Sequence, residues 1–272
     1  MTDAYYELVE AGADGDVFTS TDLTRGTWGD MQHGAPPCAL LVRSLDRCAP
    51  RDRTRLSRVV IELLGPVPMA DVQVSAQVDR AGTKIELLSA VMTSDDGSGG
   101  SRPVARARAW RMEQSDSSGI ERSFAPPLRP IGEGSTRPEM DSLTSGYVSS
   151  LNWRWLTAPG ARNERAGESW IRPTVDLVQG EEMSAIERLF AVADNANGVG
   201  TKLDTRRWTF LNTDITVHLH RAPEGEWTGI RADAAYGPDG IGATIGTLFD
   251  ERGAIGGIQQ SVLLRRRSQP RS

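Results

Sequence analysis

The sequence of 272 residues predicts an α+β protein built twice from one unit, a helix followed by a run of antiparallel strands. Three observations predict it. VIELLGPVP at 60–68 and ITVHLHRAP at 215–223 superpose at a single offset, so that Leu64 corresponds to Leu219 and Pro68 to Pro223 (219 − 64 = 155). Each copy is preceded by a helix-like segment, 36–48 before the first and 183–197 before the second. Each is followed by further strand-like runs and a turn, Asp95-Asp96-Gly97 in one and Asp250-Glu251-Arg252-Gly253 in the other. Such a unit is stable only when its helix is buried against its own curved sheet.

The elements follow in order. A short strand around Val17-Phe18-Thr19 leads into RGTWGDMQHGAPPCALLVRSLDRC. Pro36 and Pro37 suit a first helical turn, where a missing N–H costs nothing, and Cys38, Leu41, Val42 and Leu45 then recur at helical spacing. Strands are expected at 58–64, 71–79, 84–93 and 103–112; VQVSAQV at 72–78 alternates with period two. From Glu113 to Ser142 the composition turns to Ser, Pro, Gly and charge, which marks a linker. GYVSSLNWRWLTA and SWIRPTV are expected as strands, then a second helix over 183–197 stopped by Gly198, then strands at 207–219, 227–236, 241–250 and 254–265. The organisation is thus an N-terminal unit over 1–112, a linker over 113–142 and a C-terminal unit over 143–272, with RRRSQPRS as a solvated tail.

Composition excludes several classes of function. A net charge of −5 and a pI near 5.4 argue against a nucleic-acid footprint, which collects a basic excess. Only Lys84 and Lys202 are lysines, so 29 of the 31 basic residues are arginine (31 − 2 = 29), a compositional bias rather than a sign of function, although arginine is also the better fork for phosphate oxygens. Cys38 and Cys48 lie ten residues apart without a CxxC, as small buried hydrophobes of a reducing compartment do. MTDAYYELVEAGADGD is not a signal peptide, and no stretch reaches the ~18 uninterrupted apolar residues of a membrane span. A soluble, cytoplasmic protein is expected. No GxSxG elbow, GxGxxG or Walker sequence occurs.

RGTW…QHGAPPCALL at 25–41, WIRP at 170–173, Ala193-Asp194-Asn195, TDITVHLHR at 213–221 with Glu226-Trp227, and GGIQQSVLLR at 256–265 stand in an order that resembles the tandem double hot-dog acyl-CoA thioesterases of the acyl-CoA thioesterase II type. The resemblance covers the chain outside the linker. It implies a double hot-dog, two antiparallel sheets each wrapped around a central helix. It also implies hydrolysis of an acyl thioester by a water held between a carboxylate at the end of the second helix, a hydroxyl or amide on the following strand, and a glutamine on the last strand. Position by position these are Asp194, Asn212 and Gln259. Asn212 stands where the family has threonine, with Thr213 beside it, and an amide can both accept from and donate to a water. No metal or redox cofactor is implied, the partner is the acyl-CoA substrate, and a homo-oligomer is left open.

The residues' own physics gives partial support. Met183, Ile186, Phe190 and Ala193 form the apolar stripe of the second helix, and Asp194 continues it four residues beyond Phe190. A core-facing carboxylate in a last helical turn is disfavoured by desolvation and by the helix dipole, a placement that suits a general base. The competing reading ties it to loop N–H groups or to Thr201. Strand parity disagrees with the resemblance: if Ile215, Val217 and Leu219 face their helix, so does Thr213 and not Asn212, and Gln260 rather than Gln259 shares the face of Ile258 and Val262. A bulge, or a site between the two units, would reconcile them. Gln259 is followed here, and both Asn212 and Thr213 are kept. His33-Gly34, before a helix N-terminus whose N–H groups could polarise a carbonyl, are binding candidates, against a turn glycine beside a packing histidine. Arg221 and Arg231 are candidates for the CoA phosphates. His218 and His220 lack a third ligand at metal-binding spacing. Two other functions compete with hydrolysis: hydration or dehydration of an acyl thioester, for which Asp30 with His33 offers a weak acid–base pair, and acyl-CoA binding without catalysis.

Overall fold

The computed structural model describes residues 3–95, 97–136, 146–158 and 165–267. Asp96 of the first expected turn, 137–142 of the expected linker and 268–272 of the expected tail lie outside them. In chain order the elements are β1 (Ala4–Glu10), β2 (Asp16–Ser20), α1 (Ala35–Arg47), β3 (Thr54–Leu63), β4 (Val72–Arg80), β5 (Ile85–Asp95), β6 (Ser101–Glu113), β7 (Leu151–Trp155), β8 (Gly167–Pro173), β9 (Asp176–Val178), α2 (Ala185–Ala193), α3 (Ala196–Gly200), β10 (Trp208–Asn212), β11 (Asp214–Leu219), β12 (Thr228–Tyr236), β13 (Ile241–Asp250) and β14 (Gly253–Arg266).

The strands form one continuous sheet, ordered β7-β8-β12-β13-β14-β11-β3-β6-β5-β4-β2-β1-β9, with β10 also on β14. Its pairings are antiparallel except the last, where β9 lies parallel to β1. The two repeated segments meet at the middle of this order. Val60 pairs with Thr216 and Ile61 with Ile215; at the repeat offset of 155 Thr216 is the counterpart of Ile61, and Ile215 of Val60 (216 − 61 = 215 − 60 = 155). Ile61 and Ile215 are both buried while Val60 and Thr216 are half-buried, so the inner faces of the two strands correspond one residue away from the offset of 155.

α1 packs on β3 to β6, α2 on β8 and β12, and α3 on β12 and β13. α1 and α2 also pack on each other, antiparallel, and one apolar core runs through both halves, from Tyr5 and Leu41 to Phe190 and Ile258. Where the C-terminal part of α1 passes the start of α2, buried Arg43 donates from Nε and Nη2 to Glu181 at 3.0 and 2.8 Å, and Arg47 reaches Glu181 at 2.8 Å and Glu187 at 3.5 Å. Arg43 is buried while Glu181 is partly exposed, so removing Glu181 would leave a desolvated cation behind, whereas the contacts of the exposed Arg47 are screened by solvent.

Four expectations are corrected. β1 was not expected; Ala4, Tyr5 and Tyr6 are buried in succession, so the strand lacks the alternation that would announce it. Gly146–Ser150 is a 3-10 turn rather than part of a strand. The second helix stops at Ala193 and Gly198 lies inside α3, because Asn195 folds its side chain back onto Val192 O at 2.9 Å and its N–H onto the same oxygen at 3.0 Å. The strand expected over 207–219 is broken at Thr213: Asn212 pairs with Val262 but Thr216 with Gln259, a one-residue bulge. β3 has a register shift at the matching place, between Leu56 and Arg58, where Leu56 faces Arg111 on β6.

A fragment comprising residues 1–112 would lose the β11 partner of β3 and the Glu181 partner of Arg43. It is expected to aggregate or to unfold without cooperativity in size-exclusion and thermal-unfolding measurements. A soluble monomer with a sharp transition would contradict this account of the interface.

Candidate active site

α2 begins with a capping box: Ser184 Oγ accepts from Glu187 N–H at 3.3 Å and Glu187 Oε2 accepts from Ser184 N–H at 3.0 Å. The helix then buries Leu189 to Ala193 in succession and ends on Asp194, whose neighbour Asn195 opens α3. Asp194 is 6% exposed. Its carboxylate is surrounded by groups from three other parts of the chain.

On one side stand two amides. Asn212 Nδ2 donates to Asp194 Oδ1 at 2.8 Å, and Gln260 Nε2 donates to the same oxygen at 3.2 Å and to the Asp194 backbone O at 3.3 Å. Gln260 is 2% exposed, and its Oε1 is buried without a hydrogen-bond partner among the described residues. Burying such an acceptor unpaired costs about 1–3 kcal/mol, which marks it as a place where another molecule's donor belongs. On the other side is the N-terminus of α1. His33 Nδ1 lies 3.2 Å from Asp194 Oδ2, and a Cβ added to Gly34 would sit 2.7 Å from that oxygen. The carboxylate is thus not left facing only a helix C-terminus. Amide donors meet it on one side, and the N-terminus of a second helix lies beside it on the other.

Pro36 and Pro37 carry no N–H, and the Ala35 N–H is taken by His33 Nδ1 at 3.1 Å. Among the described residues no acceptor takes the Gly34 N–H, which leaves it as the donor at this helix end beside Asp194. The His33 ring stacks on Tyr147, with centroids 4.1 Å apart and planes at 22°. Tyr147 in turn donates to Ala191 O at 2.7 Å and accepts from Asn195 Nδ2 at 2.6 Å. Burial pushes the His33 imidazole below its usual range, against the upward pull of Asp194. The Cys38 thiol, on the first turn of α1, is pushed well up by burial and then by Asp194, which makes it a packing group rather than a nucleophile.

The structure therefore brings together Asp194, Asn212, His33 and Gly34 of the expected residues, and leaves the others elsewhere. Gln259 is exposed on the opposite face of β14, paired with Thr216 and Ile245; strand parity had pointed to Gln260, and Gln260 holds the carboxylate. Thr213 is the bulge residue and is exposed, its hydroxyl 3.5 Å from Asp214 Oδ1. The bulge reverses parity between Asn212 and Ile215, which lets both face inward. Arg221 is held by Asp250 through two contacts of 2.6 Å, and Arg231 by its cross-strand neighbour Glu168 at 2.8 Å. Both guanidiniums are engaged with carboxylates. Asp30 is ion-paired with Arg25 rather than with His33. His218 and His220 are exposed on or just beyond β11, and His220 meets Phe124 edge to face. Tyr147 and Asn195 escaped sequence reasoning, since no spacing announces a stacking partner 114 residues away (147 − 33 = 114).

Two family models match the chain, an acyl-CoA thioesterase N-terminal domain over residues 23–112 and an acyl-CoA thioesterase C-terminal domain over residues 127–264. Among solved structures it is similar to a hot-dog protein of unknown function from Alicyclobacillus acidocaldarius, with 14% identity, a TM-score of 0.74 and coverage of 95% of this chain and 96% of the other. It is similar also to the acyl-CoA thioesterase II TesB2 of Mycobacterium marinum, with 15% identity, a TM-score of 0.65 and coverage of 96% and 97%. A third is the tesB protein of Mycobacterium avium subspecies paratuberculosis, with 13% identity, a TM-score of 0.64 and coverage of 95% and 96%. These likenesses show the hot-dog fold. No curated protein sequence matches significantly.

Gly34 has ordinary helical angles, φ −62° and ψ −27°, so Gly34→Ala strains no backbone and acts only by pushing Asp194 aside. Overpacking of this kind costs about 1–3 kcal/mol. The thermal midpoint should fall accordingly, and an unchanged midpoint would show that the carboxylate is free to move away.

Proposed function

The chain belongs to the acyl-CoA thioesterase family and is a thioester hydrolase, and from that premise we propose that Asp194 positions and activates the attacking water, with Gln260 and Asn212 as its polar supports. The observation that carries this reading is the convergence of both amides on one carboxylate oxygen while Gln260 Oε1 keeps an unused acceptor. A water lying between Asp194 and Gln260 would give one proton to each acceptor, which aims its lone pair at the thioester carbon. As its O–H bond breaks, the proton passes to Asp194; the C–S bond then breaks and the sulfur is protonated, giving free acid and CoA thiol. The Gly34 N–H would donate to the developing oxyanion, and His33 would line the same wall. Asn212 fills the family's threonine position as a donor to the carboxylate, which keeps Asp194 oriented without a hydroxyl.

The repeat and the self-pairing β3–β11 ladder support an architecture of two hot-dog units, residues 1–112 and 143–272, joined through 113–142. Two free cysteines, one of them buried, suit a cytoplasmic location. A second reading, water addition to an enoyl thioester, draws on the His33–Asp194 contact as its acid–base pair. Loss of enoyl absorbance without thiol release would favour it.

Asp194→Asn tests the first reading. The amide keeps an acceptor for Asn212 and Gln260 and turns a donor toward His33, so the thermal midpoint should hold or rise. kcat for thiol release from acyl-CoA should drop by roughly 10²–10⁴. A destabilised variant with near-normal turnover would instead identify Asp194 as a loop anchor. The two glutamines give a sharper contrast: Gln260→Ala should lower kcat by at least about tenfold, while Gln259→Ala, on the opposite face, should leave it unchanged. The reverse result would place the water on the outer side of β14.

A further inference from the structure

His33 is held more firmly than a wall residue needs to be. One ring face lies on Tyr147, itself fixed through its hydroxyl by Ala191 O and Asn195, and the Nδ1 edge is fixed by the Ala35 N–H. That same Nδ1 faces Asp194 Oδ2 at 3.2 Å. The two amide donors both go to Oδ1, so Oδ2 is the more basic oxygen, and what it faces is a nitrogen already accepting a hydrogen bond. Nδ1 has a single in-plane lone pair, so a proton arriving between Nδ1 and Oδ2 displaces the Ala35 N–H and turns a contact between two acceptors into a hydrogen bond.

Resting on the reading of Asp194 given above, we propose that His33 shares the catalytic proton: the proton that Asp194 draws from the attacking water is held between Asp194 Oδ2 and His33 Nδ1 until the leaving thiolate takes it. The balance is that of hydrolysis. A water O–H bond breaks, the water oxygen bonds to the thioester carbon, the C–S bond breaks, and the held proton ends on sulfur, so no oxidant or second substrate enters. The other titratable groups around the pair are Cys38 on α1, Tyr147 and, behind it, Tyr5 and Tyr6. Burial raises all four, so they stay neutral and none of them competes for the proton. His33 acts through Asp194, as a positioning and proton-holding partner.

The test is His33→Asn, whose side-chain oxygen can still accept the Ala35 N–H but cannot take up a proton. In thiol-release assays across pH, kcat should fall by roughly 10–10², less than for Asp194→Asn. The acid limb of the kcat profile should shift, because the imidazole that shares the proton is gone. An unchanged rate with an unchanged limb overturns the proposal. Should this variant fail to fold, a second measurement decides. With His218 and His220 replaced by glutamine, the single remaining imidazole is titrated by NMR in the presence of Asp194 and of Asp194→Asn. The midpoint should fall when the carboxylate is removed, and identical titrations overturn the proposal. If Asp194→Asn abolishes turnover while His33→Asn changes neither rate nor limb, only this inference falls. If Asp194→Asn turns over normally, the reading it rests on falls as well.

Discussion

The site depends on how α1 and α2 cross. They lie antiparallel, and the start of one comes so close to the end of the other that a Cβ at the contact would displace the Asp194 carboxylate; Gly34 leaves that space open. At the far end of the same contact the arginines of α1 meet Glu181 and Glu187 at the beginning of α2. A short-range steric fit at one end and a buried ionic clamp at the other fix both the separation and the sliding of the two helices. Each half of the chain thereby supplies one side of the carboxylate's surroundings: His33 and Gly34 come from the first, Asn212 and Gln260 from the second.

The chemistry of those surroundings is divided between the two carboxylate oxygens. Oδ1 is saturated by amides that cannot ionise, and Oδ2 looks toward an imidazole that can. An amide at Asn212 suits the first task because it offers a fixed donor whatever the pH, whereas a hydroxyl rotates between donating and accepting. Burial alone would make a carboxylate here costly, and the directed hydrogen bonds to Oδ1 offset that cost while leaving Oδ2 without an amide donor.

Much of this was legible in the sequence because it rests on local periodicity. The two repeated segments meet as the β3–β11 ladder, although their inner faces correspond one residue away from the offset read in the sequence, and Pro36-Pro37 with its buried stripe announces α1. The position of Asp194 at the end of a buried stripe was equally readable. What failed were features that depend on one residue more or less in a ladder. Alternation from Ile258 to Val262 pointed to Gln260, and the resemblance to Gln259; periodicity was the better guide, since the face of a strand is set by its neighbours in the sheet. Alternation failed in turn at Asn212, because the bulge at Thr213 leaves no composition signal. Arg221 and Arg231 were misjudged for a different reason: a sequence shows a cation but not the carboxylate already opposite it, here Asp250 and Glu168.

The first half carries its own bulge, at Leu56–Arg58, and what surrounds it is quite different. There the position paired as Asn212 is paired belongs to Leu56, and the strand opposite brings in Arg111, buried, whose guanidinium donates to the carbonyls of Leu45, Cys48 and Ala49 at 2.9, 2.7 and 2.8 Å. The end of α1 is therefore stoppered by a cation at the level where the end of α2 presents its acid. A guanidinium thus closes the first half at the place where the second half keeps a carboxylate among amides, so equivalent ends of two similar units are finished with opposite charges, one spent on capping carbonyls and the other left facing an imidazole.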